Sequence, residues 1–128
     1  MSKLETPMTR WYWERIGGTL IEEFPAVKKG PDNEKRHIDG IIIRGGEHRI
    51  AQANEVEIQD RDIVVIQTKA SRLGMYLMGQ ALFSAELMKR FKPRSIISVA
   101  LCTKNDSVLG PILESYPNME VVVFPEGN

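Results

Sequence analysis

Two short runs rich in β-branched residues dominate the hydrophobic pattern, at residues 38–43 and 63–66. Each has the composition of a buried strand. Polar residues accompany both runs without a packing reason, namely Asp39 within the first, and Gln67 and Lys69 after the second. Because side chains alternate along a strand, Gln67 and Lys69 are predicted to share one face. Antiparallel pairing of the strands would bring a carboxylate, an amide oxygen and an ammonium together.

The N-terminal pattern predicts a helix followed directly by a strand. Thr6 and Pro7 suit the N-cap and first position of a helix over residues 8–16, which Gly17 ends. Residues Thr19–Val27 then have the composition of a strand. The later pattern predicts a loop at 28–36, a strand at 37–44, a stretch at 47–59 that suits either strands or a helical turn, a strand at 63–68, a long helix at 73–91, a strand at 95–101, a short helix at 111–116 and a strand at 119–124.

The long helix is predicted to begin after a Ser71 cap and to end before Pro93. It is apolar on nearly every side as far as Leu82, which predicts extensive burial. A block of strands precedes it, which argues against a doubly wound sheet. The sequence therefore predicts one α/β domain over residues 1–128, with a mixed central β-sheet flanked by helices.

Composition narrows the class of protein without naming a function. The 128 residues are 42% hydrophobic and 27% charged, as in ordinary soluble domains. Seventeen basic residues balance seventeen acidic ones, so binding to a polyanion would need a local patch. The single cysteine, Cys102, is predicted to be a buried thiol. No apolar run approaches the roughly 20 residues that cross a bilayer, and we expect a cytoplasmic protein without a membrane partner.

Asp39 and Lys69 each allow a chemical and a structural interpretation. Asp39 can bind a hard cation such as Mg²⁺, or Asp39-Gly40 can form a hairpin turn. Lys69 can position a water or neutralise charge on phosphorus, or it can extend from a strand end into solvent. Gln67 favours the chemical interpretation, because a buried amide without a partner is costly.

These two segments resemble the signature of the PD-(D/E)XK nuclease superfamily, whose common core is a helix, three strands, a helix and a strand. The resemblance implies a restriction-endonuclease-like fold and a Mg²⁺- or Mn²⁺-dependent DNA endonuclease. By position, Asp39 is the metal-binding aspartate, Gln67 the (D/E) residue and Lys69 the catalytic lysine. The family usually has glutamate where this chain has Gln67, so a further acid is expected. Glu14 on the first helix matches the place of one, and Glu22 or Glu23 is the rival.

Contacts with DNA are predicted for one face of the long helix and for several basic residues. Tyr76, Gln80 and Ser84 are spaced by four and share a helix face; RecB-like members of the superfamily have a similar Gln on this helix, followed by Tyr where this chain has Ser84. The predicted nucleic-acid-binding residues are Tyr76, Gln80, Arg72, Lys35 and Arg36.

Three hypotheses remain open from the sequence. The first is the endonuclease, which needs a homodimer or a partner subunit to cut both strands. The second is a nuclease-like subunit that binds DNA or protein without cutting. The third is an unrelated small α/β protein in which Gln67 and Lys69 are ordinary surface residues.

Overall fold

A six-stranded mixed sheet forms the centre of the computed structural model, which describes residues 2–125. Short 3-10 turns at Ala53–Glu55 and Lys89–Phe91 accompany the main elements. Those elements are α1 (Glu5–Ile16), β1 (Thr19–Val27), β2 (Arg36–Ile43), β3 (Arg49–Ile50), β4 (Asp62–Thr68), α2 (Met75–Met88), β5 (Ser95–Cys102), α3 (Leu109–Glu114) and β6 (Met119–Val123).

The strands lie in the order β3-β1-β2-β4-β5-β6. β2 pairs antiparallel with β1 and with β4, whereas β4, β5 and β6 run parallel to one another. The prediction of an α/β fold with a mixed central sheet flanked by helices is therefore confirmed. The β2–β4 ladder ends where Gly40 lies opposite Ile66, so the two strands separate beyond that pair.

Helices cover both faces of the sheet. On one face, α1 packs the buried side chains of Met8, Tyr12 and Trp13 against Leu20 and Ile42. On the other face, α2 and α3 pack against β5, and the C-terminal end of α2 also covers β2 and β4. Cys102 lies buried in this second layer, as predicted. Among residues 2–125, no helix is long and apolar enough to cross a membrane.

The first helix starts earlier than its sequence pattern suggests. It begins at Glu5, with Ser2 accepting the Glu5 N–H, so the prediction of a Thr6 cap is wrong. Pro7 is tolerated within the first turn because those N–H groups have no partner inside the helix. The predicted end is confirmed, since Gly17 has φ 76° and donates its N–H to the Trp13 carbonyl at 2.7 Å.

The second helix starts later than predicted, at Met75, and Ser71 does not cap it. The Leu73 N–H donates to the Lys104 carbonyl at 2.8 Å, and the Thr103 N–H donates to the Ser71 carbonyl at 3.0 Å. This segment is therefore held beside the loop after β5 instead of winding into the helix. The helix N-terminus consequently does not follow β4 directly.

The surface of α2 also differs from the prediction of extensive burial. Met75, Tyr76 and Phe83 are 76%, 74% and 70% exposed. The residues that pack on the sheet are instead Leu77, Ala81 and Met88. The helix thus buries one face and presents large apolar side chains to solvent on another.

Candidate active site

Asp39 lies where β2 and β4 separate. Its carboxylate oxygen Oδ2 accepts a hydrogen bond from the Thr68 N–H at 2.8 Å, two residues beyond Ile66, the last paired residue of β4. The side chain thus takes the place of a backbone carbonyl and satisfies the last donor of β4. Asp39 and Gly40 are both within β2, so the alternative of a hairpin turn at this dipeptide is wrong.

The regular alternation of β2 breaks at Asp39. In a regular strand, residues 38 and 40 would lie on the same face of the sheet. Here a Cβ atom on Gly40 would meet Thr9 on the α1 side, whereas Ile38 packs with Phe24 on the α2 side. On the neighbouring strand Glu23 lies opposite Asp39 and has φ 50°, so both strands twist at this level. The Asp39 carboxylate is consequently directed at the end of β4.

The electrostatics of this position disfavour the ionised carboxylate. The pKa of Asp39 is raised to about 6, chiefly by burial and also by the nearby carboxylates of Glu23 and Glu5, against the lowering effects of the Thr68 N–H and of the N-terminal positive charge. No side-chain cation of residues 2–125 forms an ion pair with Asp39. Burial and the neighbouring carboxylates therefore disfavour the ionised form of Asp39, and a bound divalent cation would favour it.

Gln67 lies on the α2 side of β4 and is 5% exposed. Its amide nitrogen Nε2 donates to the Ser84 hydroxyl at 2.7 Å, which explains how a polar side chain is accommodated in this strand. The amide oxygen Oε1 accepts no hydrogen bond from residues 2–125. Every fully buried polar side-chain atom of these residues does have a partner, so Oε1 is not fully buried. Oε1 is therefore reachable from outside.

The route to Oε1 is a cavity of about 490 Å³ between β2, the end of β4 and α2. Polar groups, large apolar side chains and a glycine share its wall. They are Arg36, His37, Ile38, Gln67, Met75, Tyr76, Gly79, Gln80, Phe83, Ser84 and Leu87. The predicted common face of Tyr76, Gln80 and Ser84 is thus confirmed. Asp39 and Lys69 are not part of the wall.

Lys69 follows the last residue of β4 and is exposed. Its backbone N–H donates to the Leu101 carbonyl at 2.9 Å, while its ammonium makes no ion pair within residues 2–125. The structure therefore brings Asp39 to the backbone between Gln67 and Lys69. The three predicted side chains nevertheless have separate surroundings: the β4 terminus, the α2 cavity and solvent.

The predicted supplementary acids have different positions. Glu14 lies 3.3 Å from His48, near the loop before β3, and is not beside Asp39, because α1 reaches β4 through Thr9 five residues earlier. Glu22 forms a two-point ion pair with Arg10. Glu23 is the member of the predicted set that lies opposite Asp39. Within the described part of the chain, no three His, Cys, Asp or Glu residues form a group that could hold a metal.

The predicted DNA-contacting residues do not form one surface. Arg36 lines the cavity with Tyr76 and Gln80. Lys35 is exposed in the neighbouring loop. Arg72 donates instead to the Asn105 carbonyl at 3.2 Å, beside the loop after β5.

Two contributors to the site are absent from the sequence-based prediction. Glu5 acts on the Asp39 charge from the first turn of α1, and the Thr9 hydroxyl lies 2.8 Å from the Thr68 hydroxyl. Their spacing of four places both on one helix face. Nothing in the sequence shows that this face meets the end of β4.

The fold and the site define an α/β domain with a half-buried aspartate at the point where two antiparallel strands diverge. Comparison with protein-family models, with curated proteins and with solved structures finds no match to this chain.

Proposed function

We propose that this protein is a divalent-metal-dependent DNA endonuclease of the PD-(D/E)XK type, with a restriction-endonuclease-like core. The observation that carries the proposal is Asp39, a half-buried carboxylate with a raised pKa at the separated ends of β2 and β4. The element order supports it as well, because α1, β1, β2, β4, α2 and β5 follow the helix, three-strand, helix, strand pattern.

The residues around Asp39 fit Mg²⁺ or Mn²⁺ in charge. Mg²⁺ needs one or two protein carboxylates, since it keeps several waters and binds the phosphate of the substrate. Asp39 would hold the cation, and Glu23 opposite it would add negative charge. Oε1 of Gln67 opens into the α2 cavity, which Asp39 does not line, so waters and the substrate phosphate would supply the remaining oxygen ligands. A bound cation would act as a Lewis acid that polarises the phosphate.

The chain's own residues would do the remaining work. Lys69, at the exposed end of β4, would neutralise charge on the phosphate and orient the attacking water. The water oxygen forms the new bond to phosphorus, the bond to one deoxyribose oxygen breaks, and that oxygen leaves with a proton. One such site cuts one strand, so cutting both strands requires a homodimer or a partner subunit.

A plasmid-nicking assay with Mg²⁺ and with Mn²⁺ tests the proposal. Wild type should nick supercoiled plasmid, whereas Asp39→Asn and Lys69→Ala should nick at least about a hundredfold more slowly. Glu14→Gln is the matched control, because Glu14 lies with His48 away from Asp39, and it should retain wild-type activity. Equal nicking by wild type and Asp39→Asn would refute the proposed site.

A specific observation favours a second candidate, a nuclease-like subunit that binds DNA without cutting it. Gln67 stands where the superfamily usually has an acid, and its amide is hydrogen-bonded to Ser84. Glu14 lies beside His48 and away from Asp39, so few metal ligands surround Asp39. Metal-independent DNA binding without nicking by wild type would identify this candidate.

A further inference from the structure

We propose that the 490 Å³ cavity beside α2 is a subsite for one unstacked nucleobase of single-stranded DNA, and this inference extends the proposed action on DNA. Its volume is within the roughly 300–1,000 Å³ of small-ligand sites. A base in a duplex is stacked and paired, so it reaches such a cavity only when the strand is single or locally opened. The substrate class is therefore single-stranded or distorted DNA.

The inner wall offers hydrogen bonds to the edge of a base. Oε1 of Gln67 is an acceptor without a partner on a side chain that is 95% buried. The Gln80 amide makes no hydrogen bond among the described residues, so it has both donors and an acceptor available. Two amides on one wall can pair with the donors and acceptors of a nucleobase.

The outer wall offers flat apolar surface. Tyr76 and Phe83 are seven residues apart on α2, which places them on one helix face two turns apart. Their side chains are 74% and 70% exposed, although phenylalanine is a residue type that domains usually bury. Stacking on an aromatic ring is how proteins hold unpaired bases of any sequence.

Charged side chains continue from the cavity along the adjoining loop. Arg36 and Leu87 line both the base cavity and a second cavity of about 850 Å³, whose wall also contains Lys29 and the acidic residues Asp32 and Glu34. Neither Arg36 nor Lys29 forms an ion pair within residues 2–125. Arg36 is the cation that lines the base cavity itself, so a DNA phosphate next to a bound base would meet its guanidinium at the boundary of the two cavities.

Fluorescence anisotropy with the full chain in a chelator, where no cutting occurs, tests the subsite. The probes are a 12-nucleotide oligothymidine, the same backbone without bases, and a 12-base-pair duplex. Wild type should bind oligothymidine at least about tenfold more tightly than the abasic strand. Tyr76→Ala and Phe83→Ala should each weaken oligothymidine binding roughly five- to a hundredfold and leave abasic binding unchanged. Tyr116→Ala, at a half-exposed tyrosine beside α3, should change neither.

Several results would overturn the subsite. They are equal affinity for oligothymidine and the abasic strand, tighter binding of the duplex, no binding at all, or equal loss on both strands in the α2 variants. A sedimentation experiment in which wild type is a dimer and Phe83→Ala a monomer, without a change in DNA affinity, would assign this face to a second copy of the chain. The two proposals fail separately. Tighter binding of oligothymidine without plasmid nicking would support the base subsite and refute the endonuclease. Nicking without tighter binding of oligothymidine would support the endonuclease and refute the base subsite.

Discussion

Replacing Asp39 with asparagine should stabilise the protein while abolishing the proposed nicking activity. The amide oxygen of asparagine can still accept the Thr68 N–H, so the hydrogen bond at the end of β4 is retained. The substitution removes the charge that burial and the neighbouring carboxylates of Glu23 and Glu5 disfavour. A gain in stability with a loss of function is typical of a residue kept for its chemistry.

The size of the gain follows from the pKa. Burial raises the pKa of Asp39 from 3.8 to about 6. Each pH unit corresponds to about 1.4 kcal/mol, and solvent access to part of the side chain reduces the total to about 1–2 kcal/mol at pH 8. Between pH 4 and pH 6 the folded protein holds more protons at Asp39 than the unfolded chain. Wild-type stability from this group therefore falls as pH rises through that window and is lowest above pH 6.

Urea unfolding of both proteins at pH 8 and pH 3.5 measures the effect. Asp39→Asn should be more stable by about 1–2 kcal/mol at pH 8 and equal to wild type at pH 3.5, with the same dependence on urea concentration. If Asp39→Asn is instead less stable at pH 8, the ionised carboxylate is a structural group and the cation argument fails. Glu14→Gln serves as the control for removing an exposed carboxylate.

Three further predictions concern the support of the site. Ser84→Ala should destabilise the protein by about 1–3 kcal/mol in urea unfolding, because the buried Gln67 amide loses its acceptor; an unchanged midpoint would show that this bond is unimportant. Gly18→Ala should cost more than about 2 kcal/mol by thermal unfolding, since Gly18 has φ 86° and a Cβ atom there would clash with the Ile43 carbonyl; an unaltered melting temperature would contradict that geometry. Arg94 and Ser95 hold the pKa of Asp62 well below its usual range, so Asp62→Asn should be less stable than wild type at pH 7 and this deficit should shrink as pH falls below about 4; a deficit independent of pH would rule out the charge as its cause.

Local chemistry made much of the fold predictable. Thr19–Val27 is a strand from end to end, and Gly17 ends α1 as expected, because both depend on residues close in sequence. The start of α2 was not predictable in this way. It depends on a hydrogen bond between Leu73 and Lys104, which are far apart in the sequence. Exposure of Tyr76 likewise depends on which face of α2 meets the sheet.

The candidate site was predictable only in part for the same reason. The sequence identifies Asp39 and the 67–69 segment, and antiparallel pairing of β2 with β4 brings them to the same place. Strict alternation along β2, however, fails at Asp39, where both strands twist. Glu14 was expected near Asp39 from the resemblance to the nuclease superfamily, but α1 crosses the sheet so that Thr9 meets Thr68 instead.

The most direct test of the central claim is a crystal structure of the protein grown with Mn²⁺, with anomalous scattering recorded at the manganese edge. A divalent cation held by Asp39 predicts an anomalous peak roughly 2 Å from its carboxylate oxygen, and no peak at this position in Asp39→Asn crystals. A map without a peak at Asp39, or a peak that persists in Asp39→Asn, would contradict the claim.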